Sequence, residues 1–210
     1  DVDVSEAARD ASTEPRPSSA GSLRVVTADV TALATADDDR AVRDALGLDA
    51  SEGGFDAAAC VMALMNIDPI APVLRGVASV LRPGGRFVCV INHPAFRIMG
   101  RSSWGYSDTP DEAGNLVTRM YRRVDAYLSE DARAIEMHPG RAPGVTTTTY
   151  HRPLSAYARA LAESGFVIDR MDEWVSARHS AGRRAEEEDR TRAEFPLFLA
   201  VRACRAAAGE

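Results

Sequence analysis

VLRPGGRFVCV, residues 80–90, decides the reading of this chain. Upstream of it, Ile70, Val73, Leu74, Val77, Val80 and Leu81 recur at helical spacing and predict one buried helical stripe. Pro83, Gly84 and Gly85 then predict the stop, because proline cannot continue a helix and glycine tolerates positive φ. Phe87 to Ile91 is short, apolar and β-branched, as expected of a strand buried on both faces. Working backwards, Phe55 to Met62 reads as a second such strand, residues 37–48 as a helix, and Leu23 to Ala28 as a further strand closed by Asp29. Val2 to Ser5 reads as a strand or its exit. Strand and helix alternating through short links predict an α/β fold with a mostly parallel sheet wrapped by helices.

Downstream, residues 94–152 interrupt the rhythm with prolines, glycines and aromatics, including Trp104, Tyr106, Tyr121, Tyr127 and Tyr150. Strand-like pieces are expected at Met120 to Leu128 and Val145 to Tyr150. An insertion of this size within one domain is long enough to cover a site. The alternation then returns as a helix over 154–163, stopped at Gly165, a strand over 166–171 and a last strand over 197–203. Between these strands, residues 178–194 carry balanced arginines and acids and predict a solvated helix.

With 210 residues and 45% apolar content, the chain suffices for a single domain spanning residues 1–210 with a sizeable core. A formal charge of −6 disfavours a broad phosphate-backbone surface, so nucleic acid is not an expected partner. No apolar run reaches the length of about 18 residues needed to span a membrane. Cys60, Cys89 and Cys204 are odd in number and set in apolar sequence, which favours reduced thiols over a disulfide framework or zinc site. No basic stretch followed by an apolar one suggests a secretion signal, and a cytoplasmic setting is expected. Neither HExxH nor any comparable His and carboxylate spacing is present, so no metal is expected.

The order VDVSEA, VVTADVTAL, FDAAACVMALMNI, VLRPGGRFVCV and ESGFVIDRM resembles the class I S-adenosylmethionine-dependent methyltransferases over nearly the whole chain. FPLFLAVRA resembles the antiparallel seventh strand of that family. NHPAFR, SSWG, YRRVDAYLS, MHPG and HRPLSAY, in this order, resemble a bacterial subgroup of those enzymes. The resemblance implies a Rossmann-like seven-stranded sheet, mostly parallel with an antiparallel last strand, and an inserted cap over 94–152. The family's first strand and its loop E/D-x-G-x-G-x-G have no counterpart here and are expected before residue 1.

The resemblance also implies roles. Asp3, at the end of the family's second strand, would accept the ribose hydroxyls of S-adenosylmethionine. Asp29 would accept the adenine amino group, with Val30 donating its amide, although a helix N-cap is a compatible reading of Asp29. Val61, Met62 and Ala63 would line the methionine end of S-adenosylmethionine, and equally of the S-adenosylhomocysteine product. Asp68 reads as a cap for the helix that follows.

His93 leaves the strand over 87–91 where open α/β sheets bind ligands, and is the first candidate general base, with Tyr106, His138 and His151 next. The competing reading makes Asn92, His93 and Pro94 a structural turn. Trp104, Arg119, His138 and Arg152 are candidates for holding a small-molecule acceptor, the arginines by gripping a carboxylate. Tyr121 and Tyr127 are expected in the insertion's own core. Methyl transfer to a small molecule is the leading expectation. A non-catalytic binding or scaffold protein on the same fold is the alternative, and a nicotinamide-dependent oxidoreductase fits the last strand poorly.

Overall fold

The structure, a computed structural model, describes residues 25, 29–31, 44, 46–47, 54–136 and 144–207. The expected strand over 2–5, the one over 23–28 apart from Val25, which is exposed and outside any strand, and the residues Asp3 and His138 lie outside the described residues. Of the expected helix over 37–48, Asp44 and Leu46 are described, and both are helical.

Strand β1 (Phe55–Val61) is followed by a single 3-10 turn (Leu64–Asn66), helix α1 (Ile70–Val80) and strand β2 (Leu81–Asn92). The helix stops at Val80, three residues before the proline. Leu81, fully buried, is already paired with Phe55. From there the register jumps to Ala57 opposite Arg86, so Arg82 to Gly85 bulge out of the strand. The Pro-Gly-Gly turn is therefore the entry bulge of β2 instead of the end of α1, and Gly84, at φ 73°, supplies its left-handed residue. β1 and β2 run parallel, as the alternation predicted.

The insertion forms two antiparallel hairpins. Strand β3 (Ser102–Pro110) pairs with β4 (Leu116–Val124), and β5 (Asp131–Glu136) pairs with β6 (Thr146–His151). The central sheet resumes after helix α2 (Leu154–Glu163) with strand β7 (Phe166–Trp174), helix α3 (Ala185–Glu194) and strand β8 (Phe198–Arg205). Among the described residues its order is β1-β2-β8-β7, with β8 antiparallel to both neighbours. The expected antiparallel last strand, beside the one before it, is thus in place. The expected single seven-stranded sheet is not what the described residues form. They form one four-stranded sheet, with two of the expected strands falling outside the described residues except at Val25, and two hairpin sheets in which the insertion pairs with itself.

The period-2 alternation of β2 sends Phe87, Cys89 and Ile91 to one face, where Leu199, Val201 and Ala203 of β8 join them. Ile70, Val73 and Leu74 of α1 and Tyr157 and Leu161 of α2 cover that face. Phe87 meets Phe166 with ring centroids 5.6 Å apart. Each of these large side chains contributes about 1.5–3 kcal/mol by leaving water. This layer fixes the carboxyl ends of β1 and β2, where the insertion begins.

The charged segment departs from the expectation of a solvated helix. In α3, Thr191 is 2% exposed, and Glu187 accepts the Met120 amide of β4 at 2.8 Å. Phe195, immediately after α3, meets Phe96 and Trp104 edge-on at 5.4 and 5.8 Å. The segment therefore clamps the first hairpin to the sheet. Tyr121 also departs from its expected core position. It is exposed and lies over Gly105, where a Cβ would sit 2.5 Å from its ring.

Candidate functional site

A narrow cleft opens where β2 ends and the insertion folds back. Asn92 from β2, Arg97 and Ile98 from the following loop, Asp131 from β5, His151 from β6 and Arg152 contribute to its walls. Met65, Met99, Tyr150 and Tyr157 add apolar surface.

Arg152 dominates the chemistry of this cleft. It is 6% exposed, yet carries a permanent charge. One terminal nitrogen, Nη2, donates to Asp68 Oδ1 at 2.6 Å and to the Ile67 carbonyl at 3.0 Å. The guanidinium also lies over the Tyr150 ring at 5.2 Å. Nη1 is buried and has no hydrogen-bond partner among the described residues; Asn92 Oδ1 is in the same condition. The neighbouring Tyr157 phenol is pushed up by burial, a shift that the Arg152 charge partly opposes. Asp68 thus serves as the charge partner of Arg152. It is not the expected helix cap, since α1 has Pro69 at its N-cap and no side-chain cap bond.

His151 also faces this cleft. Its Nε2 lies 2.8 Å from the Tyr127 carbonyl, which can only accept, so Nε2 carries the proton and Nδ1 keeps a lone pair. His93 sits differently. It is 5% exposed and borders a neighbouring groove with Tyr127, Leu154, Met171 and Glu173. Its Nδ1 accepts the amides of Ala95 and Phe96 at 3.2 and 3.3 Å, and its Nε2–H donates to Glu173 Oε1 at 2.8 Å. The ring stacks on Phe96 at 4.8 Å. Both nitrogens are engaged, as the structural-turn reading expects.

The other candidates are dispersed. Tyr106 is exposed on the outer hairpin, donates to Glu188 at 2.7 Å and carries Arg184 over its ring, and the bond to Glu188 raises its phenol pKa. Trp104 lies between Arg122 and Phe195, and Arg119 pairs with Glu187 at 3.5 Å. None of these three lines the cleft. Tyr127 is half-buried, with its hydroxyl accepting the Leu154 amide at 3.0 Å, in keeping with a core role. Residues missed in the sequence are Asn92 as a cleft wall, Arg97, and Glu173 as the partner of His93. Asn92 and Arg97 flank His93 within NHPAFR, and that proximity is the available signal. Glu173 is 80 positions away and gave none.

Among the positions expected to hold the cofactor, Asp29 Oδ1 accepts both the amide and the hydroxyl of Thr31 at 2.8 and 2.7 Å. These bonds hold its carboxyl below the usual range and keep it ionised. No bond to Oδ2 is found among the described residues, so a nucleotide amino group has an acceptor there. Val30, Val61 (53% exposed) and Ala63 are open apolar positions, and Met62, at φ 54°, turns the chain sharply as it leaves β1. An ionised acceptor at Asp29 and exposed apolar positions at Val30, Val61 and Ala63 have the chemistry to receive a nucleoside with an aliphatic tail. Among the described residues, no group of three His, Cys, Asp or Glu side chains could hold a metal ion.

Residues 1–89 match the family described as methyltransferase domain. A structure from Listeria monocytogenes, assigned as an S-adenosylmethionine dependent methyltransferase, is 24% identical with a TM-score of 0.52, covering 74% of this chain and 63% of its own. An S-adenosylmethionine dependent methyltransferase from Mesorhizobium loti is 30% identical with a TM-score of 0.50, covering 72% of this chain and 62% of its own. The chain thus spans less than two thirds of the length of either structure. Curated protein sequences gave no significant match. This chain is thus similar to S-adenosylmethionine-dependent methyltransferases, in the pattern of its first 89 residues and in the fold of its central sheet.

Proposed function

We propose that the protein transfers a methyl group from S-adenosylmethionine to a small molecule held in the cleft under the inserted hairpins. The observation that carries this reading is the cleft at the carboxyl end of the parallel pair β1 and β2, with the buried, half-satisfied Arg152 in its wall. S-adenosylmethionine, when bound, supplies a methyl carbon on a sulfonium that is already a good leaving group.

The chain's own residues then have three tasks. Asp3, Asp29 and the Val30 amide would hold the nucleoside, and Val61, Met62 and Ala63 its aliphatic end. The hairpins and the apolar walls would exclude water and orient the acceptor, which is where most of the rate advantage of such a transfer arises. An acceptor hydroxyl or amine has a proton to lose, and His151 is the group placed to take it. Its bond to the Tyr127 carbonyl fixes the tautomer and leaves the Nδ1 lone pair available. His93, with both nitrogens engaged, positions the Glu173 carboxylate instead. Trp104, Tyr106 and Arg119 support the roof from its outer hairpin.

Calorimetry on the natural full-length protein with S-adenosylhomocysteine tests the reading, and absence of binding would overturn it. In turnover assays, His151→Gln should lower kcat by about 10²- to 10⁴-fold with S-adenosylhomocysteine affinity nearly unchanged. Unchanged turnover in that variant, with His93→Gln slow, would return the proton-accepting role to His93.

A further inference from the structure

We infer that the ligand of the hairpin-covered cleft is a small carboxylic acid with an apolar body and a hydroxyl or amino donor, its carboxylate lying between Arg97 and Arg152 and its donor on Asn92. The inference rests on reading this cleft as the acceptor site.

Three observations converge on it. Among the described residues, the walls carry three arginines, Arg97, Arg133 and Arg152, against one acid, Asp131. That acid is already committed, to Arg133 at 2.6 Å and Arg101 at 3.2 Å. Arg97 lies over the Phe198 ring at 4.8 Å, and no carboxylate pairs with it among the described residues. The cleft is therefore left with uncompensated positive charge in a partly desolvated place, where an anion gains most.

The second observation is the pair of orphaned atoms. A buried guanidinium nitrogen without an acceptor costs free energy, as does a buried amide oxygen without a donor. Arg152 Nη1 and Asn92 Oδ1 are both in that state, and both residues line the same cleft. One ligand oxygen and one ligand N–H or O–H would satisfy them together. A neutral apolar ligand would satisfy neither.

The third is the rest of the lining. Met65, Ile98, Met99 and Tyr150 offer an apolar, partly aromatic wall against which the body of such a ligand can lie. Planar carboxylates suit guanidinium groups, which present parallel donors to both oxygens.

The probe is 4-hydroxybenzoate, with 4-hydroxybenzamide as its neutral isostere, titrated into the natural full-length protein by calorimetry and ligand-observed NMR. The acid should bind at least about tenfold more tightly than the amide, and Arg97→Gln should abolish that preference. Arg152→Lys keeps the charge and the pairing to Asp68 but loses the second planar donor, and should weaken the acid about tenfold. Arg97 is half-buried and away from the central core, so its variant decides the matter if Arg152→Lys fails to fold. Equal binding of acid and amide, or an unchanged preference in Arg97→Gln, would overturn the inference. A parallel titration with S-adenosylhomocysteine separates the two claims. Cofactor binding without an acid preference sinks this one alone, and an acid preference without cofactor binding sinks the methyl-transfer reading alone.

Discussion

At the scale of single residues, local backbone decides what a substitution costs. Gly54 opens β1 at φ 97°, and a Cβ there would lie 2.7 Å from the Val80 carbonyl and 2.8 Å from the Arg82 nitrogen, both backbone atoms that cannot swing aside. Gly84, at φ 73° in the entry bulge of β2, has open space around the same position. Gly84→Ala should therefore cost about 1 kcal/mol, the strain of the left-handed conformation alone, and Gly54→Ala clearly more, about 3 kcal/mol. Urea unfolding of the two variants checks this, and equal midpoints would contradict the packing argument. Arg152 teaches a related lesson about sequence position. In the chain it is one arginine among many after a Thr-rich strand, and the approach of Asp68, 84 positions earlier, gives it a fixed charge partner.

At the scale of elements, α3 shows how a segment of balanced charge becomes a structural clamp. Glu187 is bonded to Arg190 and to the Met120 amide, and the two together hold its carboxyl down at about 2, from an ordinary 4.5. A depressed carboxylate stabilises the fold fully above its unfolded value. That contribution is lost as pH falls from about 4.5 through about 2. Glu187→Gln keeps an acceptor for Met120 and removes the charge. The variant should be less stable than the natural protein by about 1–2 kcal/mol at pH 7, and the gap should close between pH 4.5 and pH 2. Unfolding measured across that range checks the sign, and a gap constant with pH would show that charge is not what holds the hairpin.

At the scale of the molecule, the protein has a firm layer and a softer one. The central sheet with α1 and α2 holds nearly all of the deeply buried apolar residues, while within strands β3 to β6 only Met120 and Thr149 are buried. Local opening follows such contrasts in burial. Hydrogen exchange should find the paired amides of residues 88–90 and 199–201 slowest, opening only with global unfolding. Amides within the β3–β4 and β5–β6 ladders should exchange at least about a hundredfold faster. Uniform protection across both layers would contradict the division. A roof that opens separately from a fixed floor would allow ligand entry without disturbing the sheet that holds the strand ends.

The sequence by itself determined the elements whose signals are local. The stripe from Ile70 to Val80, the run around Phe87 to Ile91, the helix Leu154–Glu163 and the last strand all follow from side-chain period and punctuation. Their order carried the resemblance to methyltransferases and the antiparallel close of the sheet. The sequence also named Arg152 and His151, because they border the insertion. Only the tertiary structure decided which candidates share a cleft. His151 and Arg152 meet Asn92 and Arg97, His93 turns its ring to Glu173, and Tyr106, Trp104 and Arg119 are carried away on the outer hairpin. The physical reason is that pairing within the insertion depends on long-range register. Hydrogen bonds between strands are alike at every register, so neither hydrophobic period nor local turn chemistry fixes which distant side chains end up facing one another.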